Sequence, residues 1–115
     1  MDQNSGEGET ALEVRGFERV RASLIAVSGE HTGEEHPVDR PRWLLGRGPG
    51  VDATIADPEL APCHAAIEFA RGAFYLTDLS SGAGARVNGS PVERCEVVHG
   101  DRIAVGRQIF QLLID

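Results

Sequence analysis

Two places in this 115-residue chain set reactive side chains close together: Cys63-His64, and the pair His31 and His36 among Glu30, Glu34 and Glu35. A nucleophile needs its base within hydrogen-bond reach. Neighbours in an extended segment project to opposite faces, so Cys63 and His64 cannot activate one another. The run Gly46-Arg47-Gly48-Pro49-Gly50 is glycine-rich but lacks the lysine and the following helix of a nucleotide cradle, and no Gly-x-Ser-x-Gly is present. The histidine and glutamate letters read as a solvated polar loop, and Cys63 with Cys95 has neither the paired spacing of a zinc site nor the number for a disulfide framework. The expectation is therefore no enzyme, no metal and no cofactor. What remains is a series of turn-borne groups: Arg47, the run Ala61-Pro62-Cys63-His64, the turn Ser81-Gly82-Ala83-Gly84, Arg86 and Asn88-Gly89.

Short β-like runs separate those turns. Residues 21–27, 35–38, 43–45, 53–55, 65–69, 74–78, 86–87, 92–93, 102–105 and 109–114 read as strands, and Pro37 places the second at an edge because it lacks a ladder donor. The Ala70-Arg71-Gly72 link has the length of a hairpin loop, and Asn88-Gly89 is a favoured hairpin pair. Many short strands at regular spacing, with almost no helical period, predict an all-β antiparallel sandwich or barrel. Trp43, Ile67, Phe74, Leu76, Ile103 and Phe110 are its core candidates. Residues 1–20 are polar and acidic and predict a flexible tail, leaving 21–115 as one domain. Within that tail, Leu12, Val14 and Phe17 are apolar enough to dock, and Thr10 among Glu7, Glu9 and Glu13 has the pattern of an acidophilic kinase site.

The formal charge of −7 argues against nucleic acid: the chain has no lysine, and its eleven arginines are scattered rather than gathered in a stripe. No apolar run approaches the roughly 20 residues needed to span a bilayer, and the N-terminus has neither the basic start nor the apolar centre of a secretory signal. A cytoplasmic, monomeric protein with no membrane insertion is the expectation.

The punctuation as a whole, Gly46-Arg47, Asp52, Asp57-Pro58, Ala61-Pro62-Cys63-His64-Ala65, Asp78-Leu79-Ser80-Ser81-Gly82-Ala83-Gly84, Val87-Asn88-Gly89 and Gly100-Asp101-Arg102-Ile103, resembles a forkhead-associated (FHA) domain. The resemblance runs from about Arg21 to the C-terminus. It implies a two-sheet sandwich of about 10–11 strands whose apical loops read phosphothreonine peptides. It also implies that Arg47 reaches the phosphate, a role suited to an always-ionised, forked donor, and that His64 braces neighbouring loops. The family serine three residues before that histidine is Ala61 here, and Pro62 follows it. In the second loop, Ser-x-Asn-Gly-Thr has become Ser81-Gly82-Ala83-Gly84-Ala85. Hydrogen bonds to charged groups contribute roughly 1.5–3 kcal/mol, so the lost serine and asparagine lower phosphopeptide affinity by roughly two to four orders of magnitude unless something compensates. Backbone N–H groups of the 48–50 and 82–84 turns, and Arg86, are the candidates for compensation, with Asn88 retained beside them.

The function implied is a non-enzymatic protein-interaction module. Ala61, Pro62, Ala83 and Ala85 favour a scaffold that is phospho-independent or reads phosphate weakly, as in scaffolding or secretion assemblies. The alternative is a phosphothreonine-peptide adaptor acting with a Ser/Thr kinase.

Overall fold

The computed structural model describes residues 13–29 and 31–115. Eleven strands are arranged in two sheets. The first sheet contains β1 (Ala22–Ala26), β2 (Glu35–Pro37), β7 (Ala85–Val87), β8 (Ser90–Val92), β10 (Arg102–Val105) and β11 (Gln108–Ile114), in the order β2-β1-β11-β10-β7-β8. The second contains β3 (Arg42–Gly46), β4 (Ala53–Thr54), β5 (Ala65–Ala70), β6 (Ala73–Asp78) and β9 (Arg94–Val97), in the order β4-β3-β5-β6-β9. Pairing is antiparallel except between β3 and β4. Alternate residues of each strand enter the space between the sheets, and all six core candidates named above are buried there. That alternation is the physical signature of a half-solvated antiparallel sheet.

Two tight turns follow from local chemistry. Arg71-Gly72 (φ 53° and 81°) closes β5 onto β6, and Asn88-Gly89 (φ 52° and 89°) closes β7 onto β8, each with the two successive positive φ values of a type I′ hairpin. Pro37 and Pro91 lie in the two edge strands of the six-stranded sheet.

Two expectations are corrected. The single strand expected at 92–93 is two strands in different sheets, β8 and β9, with Glu93 between them. Val92, Cys95 and Val97 pack on or in the core, so the inward step is three residues and then two; the odd step marks the chain's passage from one sheet to the other. The tail boundary expected at residue 20 falls inside a packed segment. Phe17–Arg19 form a 3-10 turn, and the Phe17 ring meets Phe69 and Phe74 edge-on at centroid distances of 5.4 and 6.4 Å. The Glu13 carbonyl accepts the Arg71 N–H at 2.6 Å, and its carboxylate faces the Arg71 guanidinium at 3.3 Å. Thr10, Leu12 and Glu30 lie outside the described residues. No helix among the described residues is long and apolar enough to cross a membrane.

Candidate functional site

Three loops meet at the end of the sandwich opposite the Arg71-Gly72 turn: residues 46–50 after β3, 60–64 before β5 and 79–84 before β7. Main-chain hydrogen bonds join the first two, from Arg47 N–H to the Ala61 carbonyl and from Gly48 N–H to the Pro62 carbonyl, both 3.0 Å. Gly46 is required for this approach. A Cβ there would collide with the Pro62 carbonyl oxygen and come within 2.9 Å of Cys63 Cα.

His64, wholly buried, ties the second loop to the third. Its Nδ1 accepts the Ala61 N–H at 3.0 Å, which fixes the proton on Nε2, and Nε2–H donates to the Gly84 carbonyl at 2.7 Å. The third loop is also held from within, by Gly84 N–H on Ser80 Oγ (2.7 Å) and Ser80 N–H on Asp78 Oδ1 (2.9 Å). Ser80 and Asp78, which the sequence reading quoted in the punctuation without assigning them a role, are thus structural members of the site; their signal was the Asp-x-Ser spacing of a side-chain-capped turn.

Arg47 is exposed at this junction. Its Nε donates to the Leu60 carbonyl at 3.0 Å, which orients the guanidinium, and none of the ion pairs among the described residues includes it. Ala61 is half-buried beneath it and Ala83 is exposed on the facing loop; neither offers a side-chain donor. The expected backbone donors are partly engaged, since Gly48 N–H and Gly84 N–H bind within the protein. Among the described hydrogen bonds, the N–H groups of Gly50, Gly82 and Ala83 have no acceptor. Arg86 lies on β7, two residues beyond Gly84, and is exposed.

Asn88 is not part of this junction. It follows the far end of β7, where its Nδ2 donates to Asp101 Oδ1 and its Oδ1 accepts the Arg102 N–H, each at 3.0 Å. With both amide atoms engaged, it locks the β7–β8 turn to Asp101 and Arg102, apart from the other residues expected to bind a ligand. The resemblance grouped it with that set because a turn asparagine and a binding asparagine carry the same letter.

Asp57, 3% exposed, supports the site from below. Its carboxylate accepts the N–H groups of Glu59 (2.9 Å) and Arg107 (2.8 Å) and a long bond from Gln108 Nε2 (3.4 Å). Burial raises its pKa. The N–H groups of Arg107 and Glu59, the Gln108 amide and the Arg107 charge outweigh that and hold it below the ordinary value. Its own carbonyl accepts the Leu60 N–H, so the residue whose carbonyl orients Arg47 hangs from Asp57. Gly106 (φ 55°) permits this packing, as a Cβ would stand 2.7 Å from Asp57 Oδ2.

Of the residues weighed for other chemistries, His31, His36 and Cys95 lie outside the three loops, whereas Cys63 is in the second of them. His31 Nδ1 bonds Glu34 at 2.8 Å, His36 Nε2 stands 3.7 Å from the same carboxylate, and no group of three or more ligating side chains among the described residues is arranged for a metal ion. Cys63 and Cys95 are free thiols. A groove of about 740 Å³ lies at the other end of the sandwich beside Phe17, Val20 and Leu113. Its charges are mixed (Glu18, Arg21, Glu35, Asp39), without the basic bias of an anion site.

A family model described as the cytoplasmic domain of the inner membrane component of the T3SS matches residues 26–114. The glycogen accumulation regulator GarA of Mycolicibacterium smegmatis is 29% identical over 94 residues, 82% of this chain and 60% of that protein, so the chain spans about three fifths of that relative. The oxoglutarate dehydrogenase inhibitor of Corynebacterium glutamicum is 25% identical over 107 residues, covering 93% of this chain and 75% of that protein. A solved structure from an analysis of phosphothreonine-dependent FHA domain interactions superposes with a TM-score of 0.73 at 24% identity, over 81% of this chain and 95% of that one. The junction of three loops at one end of a two-sheet sandwich, with the match over nearly the whole domain, places this chain in the family of T3SS inner-membrane-component cytoplasmic domains, as a domain of FHA type.

Proposed function

We propose that this domain is a non-enzymatic module that binds a protein partner through its apical loops and reads phosphothreonine weakly, through a single side chain. The observation that carries this is Arg47: exposed, oriented by the Leu60 carbonyl and without a counter-ion among the described residues, beside two loops whose side chains at 61 and 83 donate nothing. A guanidinium alone supplies charge and a fork. Backbone N–H groups at Gly82 and Ala83 add donors without adding side-chain selectivity. Similarity to a domain whose interactions are phosphothreonine-dependent, and to two regulatory proteins, supports the reading. The same reading makes the domain a cytoplasmic one.

The test is binding to a degenerate phosphothreonine peptide library beside its unphosphorylated twin, for the wild type and Arg47→Ala. Weak, phosphate-selective binding that Arg47→Ala abolishes is expected, with stability changed by no more than about 1 kcal/mol because the side chain is exposed. Equal binding of both libraries that is indifferent to Arg47 would show that the apical loops take an unmodified surface instead. Unfolding of Arg47→Ala would reassign the residue to the scaffold.

A further inference from the structure

The outward face of the six-stranded sheet is basic within an acidic protein. Ile103, Val105 and Ala85 are buried, so the alternating residues Arg102, Ala104 and Arg86 face outward. Five of the six strands, β1, β7, β8, β10 and β11, contain no aspartate or glutamate. The exception is Glu35 on β2, three strands from β10 and already accepting the Ser23 hydroxyl at 2.7 Å. Asp101, next to Arg102, is turned to the basal loop, where it takes Asn88 Nδ2 and the Val98 N–H. Neither Arg86 nor Arg102 is in any ion pair among the described residues. On the other sheet Arg42 and Arg94 both bind Glu68, at 3.0 and 2.9 Å.

Register fixes the spacing of Arg86 and Arg102. Arg86 pairs with Ala104, so Arg102 is its diagonal neighbour across β7 and β10, about 7–8 Å away in an antiparallel sheet. An extended peptide repeats its side-chain direction every second residue, at roughly 7 Å. Arg86 also begins the descent from the apical junction, two residues from Gly84. We propose that β7 and β10 form a second subsite that receives an extended acidic segment of the partner, with carboxylates or a second phosphate at alternate positions, as that segment leaves the apical loops. This rests on the apical reading for the partner's course but not for its charge chemistry.

The test uses fluorescent phosphothreonine peptides with Asp-x-Asp, Asp-Asp or Gln-x-Gln on either flank, and the same peptides unphosphorylated, at low salt. Asp-x-Asp on one flank should bind about three- to tenfold more tightly than Gln-x-Gln, as two exposed ion pairs allow, and the gain should shrink at 0.5 M salt. The double variant R86Q/R102Q should erase the gain, and R102Q alone should lose most of it while keeping the phosphate selectivity that depends on Arg47. R47A should erase that selectivity and leave the Asp-x-Asp preference in the unphosphorylated series, so failure of the apical reading and failure of this subsite are separate results. No gain on either flank, an equal gain for adjacent Asp-Asp, or a gain that survives R86Q/R102Q would overturn the proposal.

Discussion

Asp57 shows how one carboxylate ties the loop that follows it to a turn fifty residues away in sequence. Its pKa lies below the ordinary value, so the folded protein holds fewer protons at this site than the unfolded chain wherever the two states titrate apart. Its contribution to stability is thus fully present above the unfolded aspartate pKa of about 3.9 and is lost as pH falls through the lower folded value. Asp57→Asn should reduce thermal stability at pH 7, consistent with about 1–3 kcal/mol for a weakened buried acceptor. The gap from the wild type should narrow as melting is repeated from pH 5 to pH 2.5; a gap that stays constant over that range would refute the assignment. In the sequence Asp57-Pro58 reads only as a turn, because Arg107 and Gln108 lie fifty residues away. His64 was legible through the resemblance, since the residues it joins, Ala61 and Gly84, are themselves named by the loop spacing. Asn88 carried its turn role openly and a binding role only by analogy.

At the scale of elements, strand existence was readable wherever one face is buried and the period of two is unbroken, as in β6 and β11. It failed where the chain changes sheets at Glu93, since each of β8 and β9 is too short to display a period of its own. The docking of residues 13–20 was not decidable either, because one aromatic in a polar stretch has no periodicity; only the Phe69 and Phe74 rings, brought together by the fold, give Phe17 a place. Phe17→Ala should destabilise the domain by about 1–2 kcal/mol, since the ring is half-buried and full burial of such a side chain contributes about 1.5–3. An unchanged midpoint in urea would show that the segment does not pack in solution. The β3 end makes the opposite demand. Gly46→Ala forces a methyl group into the Pro62 carbonyl, and overpacking of this kind costs about 1–3 kcal/mol. The strain falls on the 46–50 and 60–64 loops, so anion binding should weaken together with stability, and a variant as stable as the wild type would disprove the close approach.

Across the whole molecule, the scaffold of the site is independent of the side chains that have changed. The three loops are held by Arg47 and Gly48 N–H groups, His64, Ser80 and the Asp57 support, none of which requires a side-chain donor at 61 or 83. Substitution to alanine could therefore remove recognition chemistry while the fold persisted, and the reverse change should return it. In Ala61→Ser/Ala83→Asn the new hydroxyl is carried on a backbone pinned at both its N–H and its carbonyl, by His64 and Arg47. The new amide sits next to Gly84, whose carbonyl is fixed by the same imidazole. Preorganised donors of this kind lose little freedom on binding, so together they should add about 2–4 kcal/mol of affinity, or roughly thirty- to a thousandfold. Isothermal titration against matched peptides should show that gain for the phosphothreonine form alone. An equal gain for the unphosphorylated peptide would mean that the added groups grip main chain only. No gain for either would mean that Arg47 and its neighbours no longer converge on a phosphate, leaving the domain a phospho-independent scaffold.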